Sequence, residues 1–280
     1  METALTPDMI TQPELWRCVL QIGQTRLYVA LVPPAPGEPP VWRSITLSAD
    51  ATSRLKAIED AVYDNPLLLC DFRRIDVITD SERIALIPQC ATPADDDQLI
   101  DLIGICTGSE PTEQPALCGR LEIGGATFAS TIDSQLEAFL RRTFFGVHIH
   151  HPLAITAAET TALARNSTVM TVVADTPGII TVAAARNGNL LMANQFAYTH
   201  PIDAAYYVMA SRATLALAPD CGTLKICGTH HNLPNIAEAL TPYVTNIERV
   251  ITPPRLCLLG KEAARFHHTV TTLLTSYPCE

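Results

Sequence analysis

The stretch that decides the fold is VMTVVADTPG, residues 169–178, followed by IITVAAA, residues 179–185. Apolar and β-branched residues dominate both runs, and Pro177 and Gly178 lie between them, so the sequence predicts two strands joined by a tight turn. Asp175 places a carboxylate at the end of the first strand. Because ligands of α/β proteins sit at the carboxyl ends of strands, this turn is a candidate site.

A related pattern occurs near the N-terminus. Residues 18–21, CVLQ, lead through Ile22, Gly23 and Gln24 into a second apolar run over residues 25–32. The position that corresponds to Asp175 is Gln21, whose side chain is uncharged. The chain therefore contains two strand-turn-strand units, and the first of them lacks the carboxylate.

The composition predicts a folded cytoplasmic protein. Its 280 residues are 48% hydrophobic, which is ample for a buried core. Apolar runs are shorter than the roughly 18 residues that span a bilayer, and residues 1–12 do not read as an export signal, so we expect no membrane insertion. The net charge of -10 opposes binding to nucleic acid. Nine scattered cysteines without a Cys-x-x-Cys pair argue against disulfides and zinc ribbons.

The predicted elements of the first half recur in the second. In the first half we expect strands over 16–32, 41–47, 74–78, 83–87, 127–132 and 147–151, helices over 50–63, 95–105, 134–143 and 156–165, and a loop over 106–119. In the second half we expect strands over 169–185, 190–197, 223–227 and 247–251 and helices over 201–217, 233–243 and 261–274. The repeated order predicts two duplicated α/β lobes, residues 14–166 and 167–280, that face each other across a cleft.

Three motifs of the second half carry a family resemblance. They are LLMANQFAY at residues 190–198, Asp203 with Tyr206 and Tyr207, and LKICG at residues 224–228. Over roughly residues 14–275 the chain resembles the superfold of actin, heat-shock-70 proteins and sugar kinases. Within that superfold, the three motifs resemble a bacterial family that has an actin-like ATPase fold and no assigned activity. The resemblance implies two ribonuclease-H-like lobes, each a mixed five-stranded sheet with flanking helices.

The resemblance also implies where a nucleotide would bind. The superfold cradles adenosine at a strand-to-helix turn, and residues 226–236 are similar to the heat-shock-70 version of that turn. The implied phosphate- or nucleotide-binding residues are Gln21, Gly23, Gln24 and Thr25 in the first turn, Asp175 and Gly178 in the second, and Gly228 in the third.

Gln21 limits the chemistry that this site can perform. The superfold typically orients Mg²⁺ with a first-lobe carboxylate, and an amide carries no charge, so we expect at most weak binding of ATP with Mg²⁺. Two residues also have a purely structural interpretation. An aspartate that opens a Pro-Gly turn commonly bonds its own backbone, as Asp175 would, and Gly228 would simply end a strand before a capped helix.

These residues favour a non-catalytic scaffold or regulator whose partner is another protein. One alternative is an active Mg-dependent ATPase or small-molecule kinase in which a carboxylate such as Asp175 replaces the lost one. A second alternative is a metal-binding protein that uses His148 and His150, which alternate onto one face of a predicted strand. The sequence contains no Gly-x-Ser-x-Gly, Gly-x-Gly-x-x-Gly or P-loop motif. Its oligomeric state stays open.

Overall fold

The structure, a computed structural model, describes residues 4–34, 39–80, 83–108, 115–229, 231–250 and 266–276. The strands are β1 (Arg17–Ile22), β2 (Arg26–Val32), β3 (Val41–Thr46), β4 (Arg74–Thr79), β5 (Arg83–Pro88), β6 (Pro115–Ile123), β7 (Ala126–Asp133), β8 (His148–His150), β9 (Thr168–Val173), β10 (Ile179–Arg186), β11 (Asn189–Ala197), β12 (Thr223–Cys227) and β13 (Ile247–Val250). The α-helices are α1 (Arg54–Tyr63), α2 (Asp96–Thr107), α3 (Ser134–Thr143), α4 (Pro152–Leu163), α5 (Pro201–Thr214), α6 (Leu233–Leu240) and α7 (His268–Ser276).

Two five-stranded sheets have the same strand order. The first runs β3-β2-β1-β4-β8 and the second runs β11-β10-β9-β12-β13. In each, the central strand is antiparallel to the hairpin strand on one side and parallel to the strand on the other. The predicted α/β architecture with duplicated mixed sheets is therefore confirmed.

Short turns set the register of the hairpins. Gly23 N donates to Arg26 O at 2.8 Å and closes the turn between β1 and β2. Between β10 and β11, Asn187 and Gly188 both have positive φ, 50° and 76°, which is the backbone that a type I′ turn requires. Both hairpins were expected from the sequence, because glycine and asparagine adopt these conformations at low cost.

A third sheet, β5-β7-β6, projects from the first half. It corrects one expectation, since we expected a loop over residues 106–119 and β6 instead begins at Pro115. Proline cannot donate a ladder hydrogen bond, but it is tolerated at the first residue of an edge strand, and β6 is an edge of its sheet. Residues 109–114 of the expected loop lie outside the described residues.

Helices α1 and α3 cover one face of the first sheet. Ile58 and Val62 of α1 and Phe139 of α3 pack on Leu20 and Val29 in one cluster. On the outer face of the second sheet, α5 and α6 bury a similar apolar cluster, which includes Met170, Val182, Val208, Ile226 and Ile236. Each five-stranded sheet therefore has its own buried core on its outer side.

Helix α2 packs on the three-stranded sheet, and α4 and α7 lie between the two five-stranded sheets. Ile155 of α4 and Val270 of α7 pack on Val19 and Ile78 of the first sheet. The opposite side of α4 contacts β9, β10 and β11 of the second sheet. A helix that is apolar around most of its circumference is a buried helix, as α4 is.

Two helices start at residues other than those expected. We expected α4 from residue 156, but it begins at Pro152, because proline fits the first helical position and His151 Nδ1 accepts the N–H of Leu153 at 3.1 Å. The last helix was expected over residues 261–274 and is described as α7 from His268. Residues 261–265 lie outside the described part of the chain.

Candidate functional site

A cavity of about 470 Å³ opens where strands of both sheets end. It receives Gln21 from the end of β1 and Asp175 from the turn after β9, so the two related turns of the sequence do meet. Its other lining residues are Gly23, Gln24, Thr25, Arg26, Tyr28, Asp80, Thr176, Pro177, Thr229, His231 and His267. A cavity of this size is within the range of small-molecule sites.

Gln21 presents a neutral amide to the cavity. Its side chain is 4% exposed. Its Oε1 atom is buried, and none of the groups in the described residues donates a hydrogen bond to it. Since an unpaired buried acceptor costs free energy, Gln21 favours a ligand that donates a hydrogen bond. An amide oxygen is a much weaker ligand for Mg²⁺ than a carboxylate.

Asp175 is engaged by the chain itself. Its Oδ2 accepts a hydrogen bond from the backbone N–H of Thr269 at 3.2 Å. Thr269 lies in the first turn of α7, where N–H groups lack intrahelical partners and the helix dipole favours negative charge. Asp175 therefore caps α7 across the cavity, while its Oδ1 is buried without a donor among the described residues.

Asp80 and His267 are among the polar residues of the cavity that the sequence analysis did not predict. Asp80 follows β4 at the carboxyl end of a strand next to β1, a signal that could have identified it. Desolvation beside the cavity raises the pKa of the Asp80 carboxyl; the charges of His267 and Arg54 oppose this rise, and the charge of Asp175 adds to it. Two carboxylates therefore face the same space.

His267 reaches the cavity from the far end of the sequence. Its ring packs against Tyr28, with ring centroids 4.5 Å apart, and the neighbouring Phe266 packs against Trp42 at 4.6 Å. These aromatic contacts fix the chain on the first sheet just before α7 begins. No local pattern could have predicted this placement, because it depends on the return of the C-terminal segment to β2 and β3.

Gly178 and Gly228 lie in the turns beside the cavity rather than on its wall. Gly178 has φ 73°, as the turn before β10 requires. Gly228 has φ 128°, and a Cβ atom there would lie 2.2 Å from the carbonyl oxygen of Ala174. These two glycines thus have clear backbone roles in bringing the ends of β9 and β12 together.

A buried polar cluster fastens α7 behind the cavity. His268 Nε2 lies 2.9 Å from Glu159 Oε2 of α4 and 3.2 Å from Thr272 Oγ1. Burial alone would lower the pKa of His268, but hydrogen bonds with Cys227 and Glu159 outweigh it and hold this pKa well above the ordinary value. The His268 imidazole therefore links β12, α4 and α7.

The structure places His150, one of the two histidines of the metal-binding hypothesis, beside a buried carboxylate. His150 Nε2 lies 2.7 Å from Asp76 Oδ1, next to Arg17 and Arg74. Within the described ranges, no group of three His, Cys, Asp or Glu side chains is placed to hold a metal ion. His150 is thus part of the hydrogen-bonded network around Asp76.

The residues of the cavity fit a phosphate better than they fit Mg²⁺. Gln24, Thr25 and Arg26 offer side-chain donors on the first turn. Magnesium requires several hard oxygen ligands, and the cavity offers Asp80 and the free oxygen of Asp175. If a nucleotide binds together with Mg²⁺, Asp80 and Asp175 would hold the ion, and the ion would neutralise part of the phosphate charge.

The family of the chain follows from its sequence. The model of DUF3822, a family described as protein of unknown function, matches residues 8–247. The chain belongs to DUF3822. No curated protein matches this DUF3822 chain.

Solved structures show the fold of this DUF3822 member. It is similar to a Bacteroides thetaiotaomicron protein described as having an actin-like ATPase fold and unknown function, with 15% identity, a TM-score of 0.77 and coverage of 96% of this chain and 98% of that one. It is also similar to a chain of the PilM-PilN type IV pilus biogenesis complex, with 12% identity, a TM-score of 0.54 and coverage of 95% and 100%. The DUF3822 chain has the actin-like ATPase fold.

Across the described residues of the DUF3822 chain, no helix combines the length and the hydrophobicity that crossing a membrane requires.

Proposed function

We propose that the chain is a non-catalytic scaffold or regulator with two lobes, residues 14–166 and 167–280, and at most weak nucleotide binding in the cavity. The hydrogen bond from Thr269 to Asp175 carries this proposal. It commits the carboxylate of the second turn to holding a helix, while the first turn offers the uncharged Gln21.

The energetics of Asp175 support this assignment. A side chain that caps a helix stabilises a protein by about 1 kcal/mol. A metal ion could bind the free Oδ1 of Asp175 without breaking this cap, but it would have to offset the cost of gathering the carboxylates of Asp175 and Asp80, and a metal that took both oxygens of Asp175 would also lose the cap. Binding of a nucleotide through Gln24, Thr25 and Arg26 alone would require neither change, so weak binding without hydrolysis is the expected behaviour.

A protein partner in the cytoplasm is the second part of the proposal. The PilM-PilN neighbour belongs to a protein complex. Its similarity to this chain concerns the fold, and the transfer of a partner rests on analogy. The exposed aromatic side chains of Tyr206 and Tyr243 add surface of the kind that protein interfaces use.

Phosphate release from ATP tests the proposal. Wild type, Asp175→Ala and the control Asp60→Ala would be assayed with magnesium and with EDTA. The control removes a carboxylate that pairs with Lys56 on the surface of α1. The proposal predicts that none of these three proteins shows magnesium-dependent ATP turnover. Turnover that Asp175→Ala abolishes and Asp60→Ala retains would contradict it.

That contradictory result would establish the alternative, a Mg-dependent ATPase or small-molecule kinase. Asp80 favours this alternative, because it faces the cavity near Asp175 and supplies the second carboxylate that the sequence analysis did not find. Under this alternative, Asp80→Asn would also abolish turnover.

A further inference from the structure

The lining of the cavity of about 470 Å³ includes three polar side chains that each keep a buried atom without a partner. Gln21 and His267 are 4% and 9% exposed, and Asp175 is half-buried. Within the described part of the chain, no group forms a hydrogen bond with Gln21 Oε1, Asp175 Oδ1 or His267 Nδ1. Buried polar atoms are almost always paired in folded proteins, so three such atoms around one cavity indicate a binding site for a polar ligand.

A series of contacts connects these three residues. Gln21 of β1 is the cross-strand partner of Tyr28 of β2, so both side chains lie on the same face of the sheet. The Tyr28 ring packs against the His267 ring, with centroids 4.5 Å apart. Two residues later, the N–H of Thr269 donates to Asp175 Oδ2 at 3.2 Å. Gln21, His267 and Asp175, the three deep residues, are therefore held by both sheets and by the start of α7.

The hydrogen-bond donors of the first turn lie at the mouth of the cavity. Gln24, Thr25 and Arg26 line the cavity and are exposed. Arg26 Nη1 donates to Ser44 Oγ of β3 at 2.9 Å, which directs its guanidinium group toward the edge of the sheet. The mouth therefore offers donors, whereas the deep residues offer acceptors.

The charge of the cavity favours a cation. Asp175 and Asp80 both line it, and neither forms an ion pair with a Lys, Arg or His side chain of the described residues. The charges of His267 and Arg54 act on Asp80 without a direct contact of this kind. A cationic ligand would offset the repulsion between the two carboxylates.

The three unpaired atoms match the donors of a primary ammonium group. Gln21 Oε1 and the ionised Asp175 Oδ1 only accept hydrogen bonds, and His267 Nδ1 accepts in the tautomer that carries its proton on Nε2. A primary ammonium group has three N–H donors and a single positive charge, which the one carboxylate among the deep residues balances. Mg²⁺ instead requires several hard oxygen ligands in octahedral geometry.

We propose that the cavity binds a small organic compound through a primary ammonium group, which donates to Gln21, Asp175 and His267. The apolar part of the compound would lie against Tyr28 and Pro177, which also line the cavity. This proposal rests on the proposed function, in which the cavity binds a ligand without turnover, and it names the chemical class of that ligand.

Three related compounds test the ammonium group. Benzylamine is protonated at neutral pH, benzyl alcohol has a similar shape without the charge, and benzyltrimethylammonium has the charge without N–H donors. NMR titration of wild type would measure all three affinities. We expect saturable one-to-one binding of benzylamine, at least about tenfold tighter than that of the other two compounds. Equal binding of either analogue, or no saturable binding of benzylamine at millimolar concentration, would overturn the proposal.

Variants of the deep residues test where benzylamine binds. We expect Gln21→Met and Asp175→Asn each to weaken its binding about tenfold. The matched controls Gln98→Met, on the exposed face of α2, and Asp60→Asn, in the surface pair with Lys56, should bind as wild type does. Urea unfolding would verify that each variant folds, and Gln21→Met should fold normally because it removes an unpaired buried acceptor. Unchanged affinity in Gln21→Met, or equal losses in the controls, would overturn the assignment.

The ring signals of His267 provide a local readout. Benzylamine should shift them in wild type and leave those of the exposed His200 unchanged. A shift at His200 without one at His267 would contradict binding in this cavity. The titrations contain neither ATP nor magnesium, so a failure of this proposal and a failure of the proposed function are separate results.

Discussion

The carboxylate of Asp175 accepts a hydrogen bond from the backbone of Thr269, a residue 94 positions later in the chain. This contact joins the turn after β9 to the first turn of α7. Helix α7 itself packs on the first sheet, where Leu273 O accepts a hydrogen bond from Arg17 at 3.4 Å. Asp175 thus connects the two halves of the molecule.

Removal of this cap should destabilise the fold. We expect Asp175→Ala to lower the free energy of unfolding by about 1 kcal/mol and Asp175→Asn to lower it less, since an amide oxygen still accepts the bond. Urea unfolding followed by circular dichroism measures the difference. If Asp175→Ala were more stable than wild type, repulsion between Asp175 and Asp80 would outweigh the cap.

The docking of α7 should weaken at alkaline pH. The pKa of His268 is raised in the folded state, so the stability that its proton contributes is fully present below the unfolded value of about 6.5. That stability is lost as pH rises through the folded-state pKa. Thermal melts between pH 6 and pH 10 should show a smaller loss in Glu159→Gln than in wild type. If the melting temperature fell equally with pH in both proteins, Glu159 would not be the group that stabilises the proton on His268.

Protonation of Asp76 should destabilise the fold at acidic pH. Burial would raise its pKa, but hydrogen bonds from His150 and Arg74 and the charge of Arg17 hold it well below the ordinary value. Stability from Asp76 is therefore present above about pH 4 and is lost as pH falls through the folded-state pKa.

Substitution of Asp76 tests the same network at neutral pH. Asp76→Asn removes the buried carboxylate that contacts Arg17, Arg74 and His150 and should cost about 3–5 kcal/mol in urea unfolding. The control Asp60→Asn breaks an exposed pair with Lys56 and should cost less than about 0.5 kcal/mol. Similar losses in both variants would contradict the structural role of Asp76.

Gly228 should tolerate no side chain. A Cβ atom there would meet the carbonyl oxygen of Ala174 at 2.2 Å, and φ is 128°. Gly228→Ala should therefore cost about 3 kcal/mol or more, from strain and overpacking together. The control Gly108→Ala, with φ 63° and open space around it, should cost about 1 kcal/mol. Equal costs would mean that the backbone at Gly228 moves aside.

Local patterns were enough to predict most of the fold. Gly23, and Asn187 with Gly188, identified the hairpins because few residues adopt those turns, and alternating apolar residues identified the strands beside them. The pattern failed at Pro115, which begins an edge strand, and at Pro152, which begins α4. In both places proline interrupts a sequence pattern without interrupting the element that it starts.

The candidate site could be predicted only in part. Gln21 and Asp175 were found because each ends a strand before a tight turn. Asp80 has the same position after β4 and could have been found by that rule. His267 and the bond from Thr269 to Asp175 could not, because they arise from packing between segments that are distant in sequence.

Magnesium dependence of ATP binding tests the central claim most directly. Calorimetry would compare wild type with Gln21→Asp, which restores an anion at the end of β1, with and without magnesium. The uncharged amide predicts that magnesium changes the affinity of wild type less than about twofold and tightens binding to Gln21→Asp about tenfold or more. Tight, magnesium-dependent ATP binding by wild type would contradict the account.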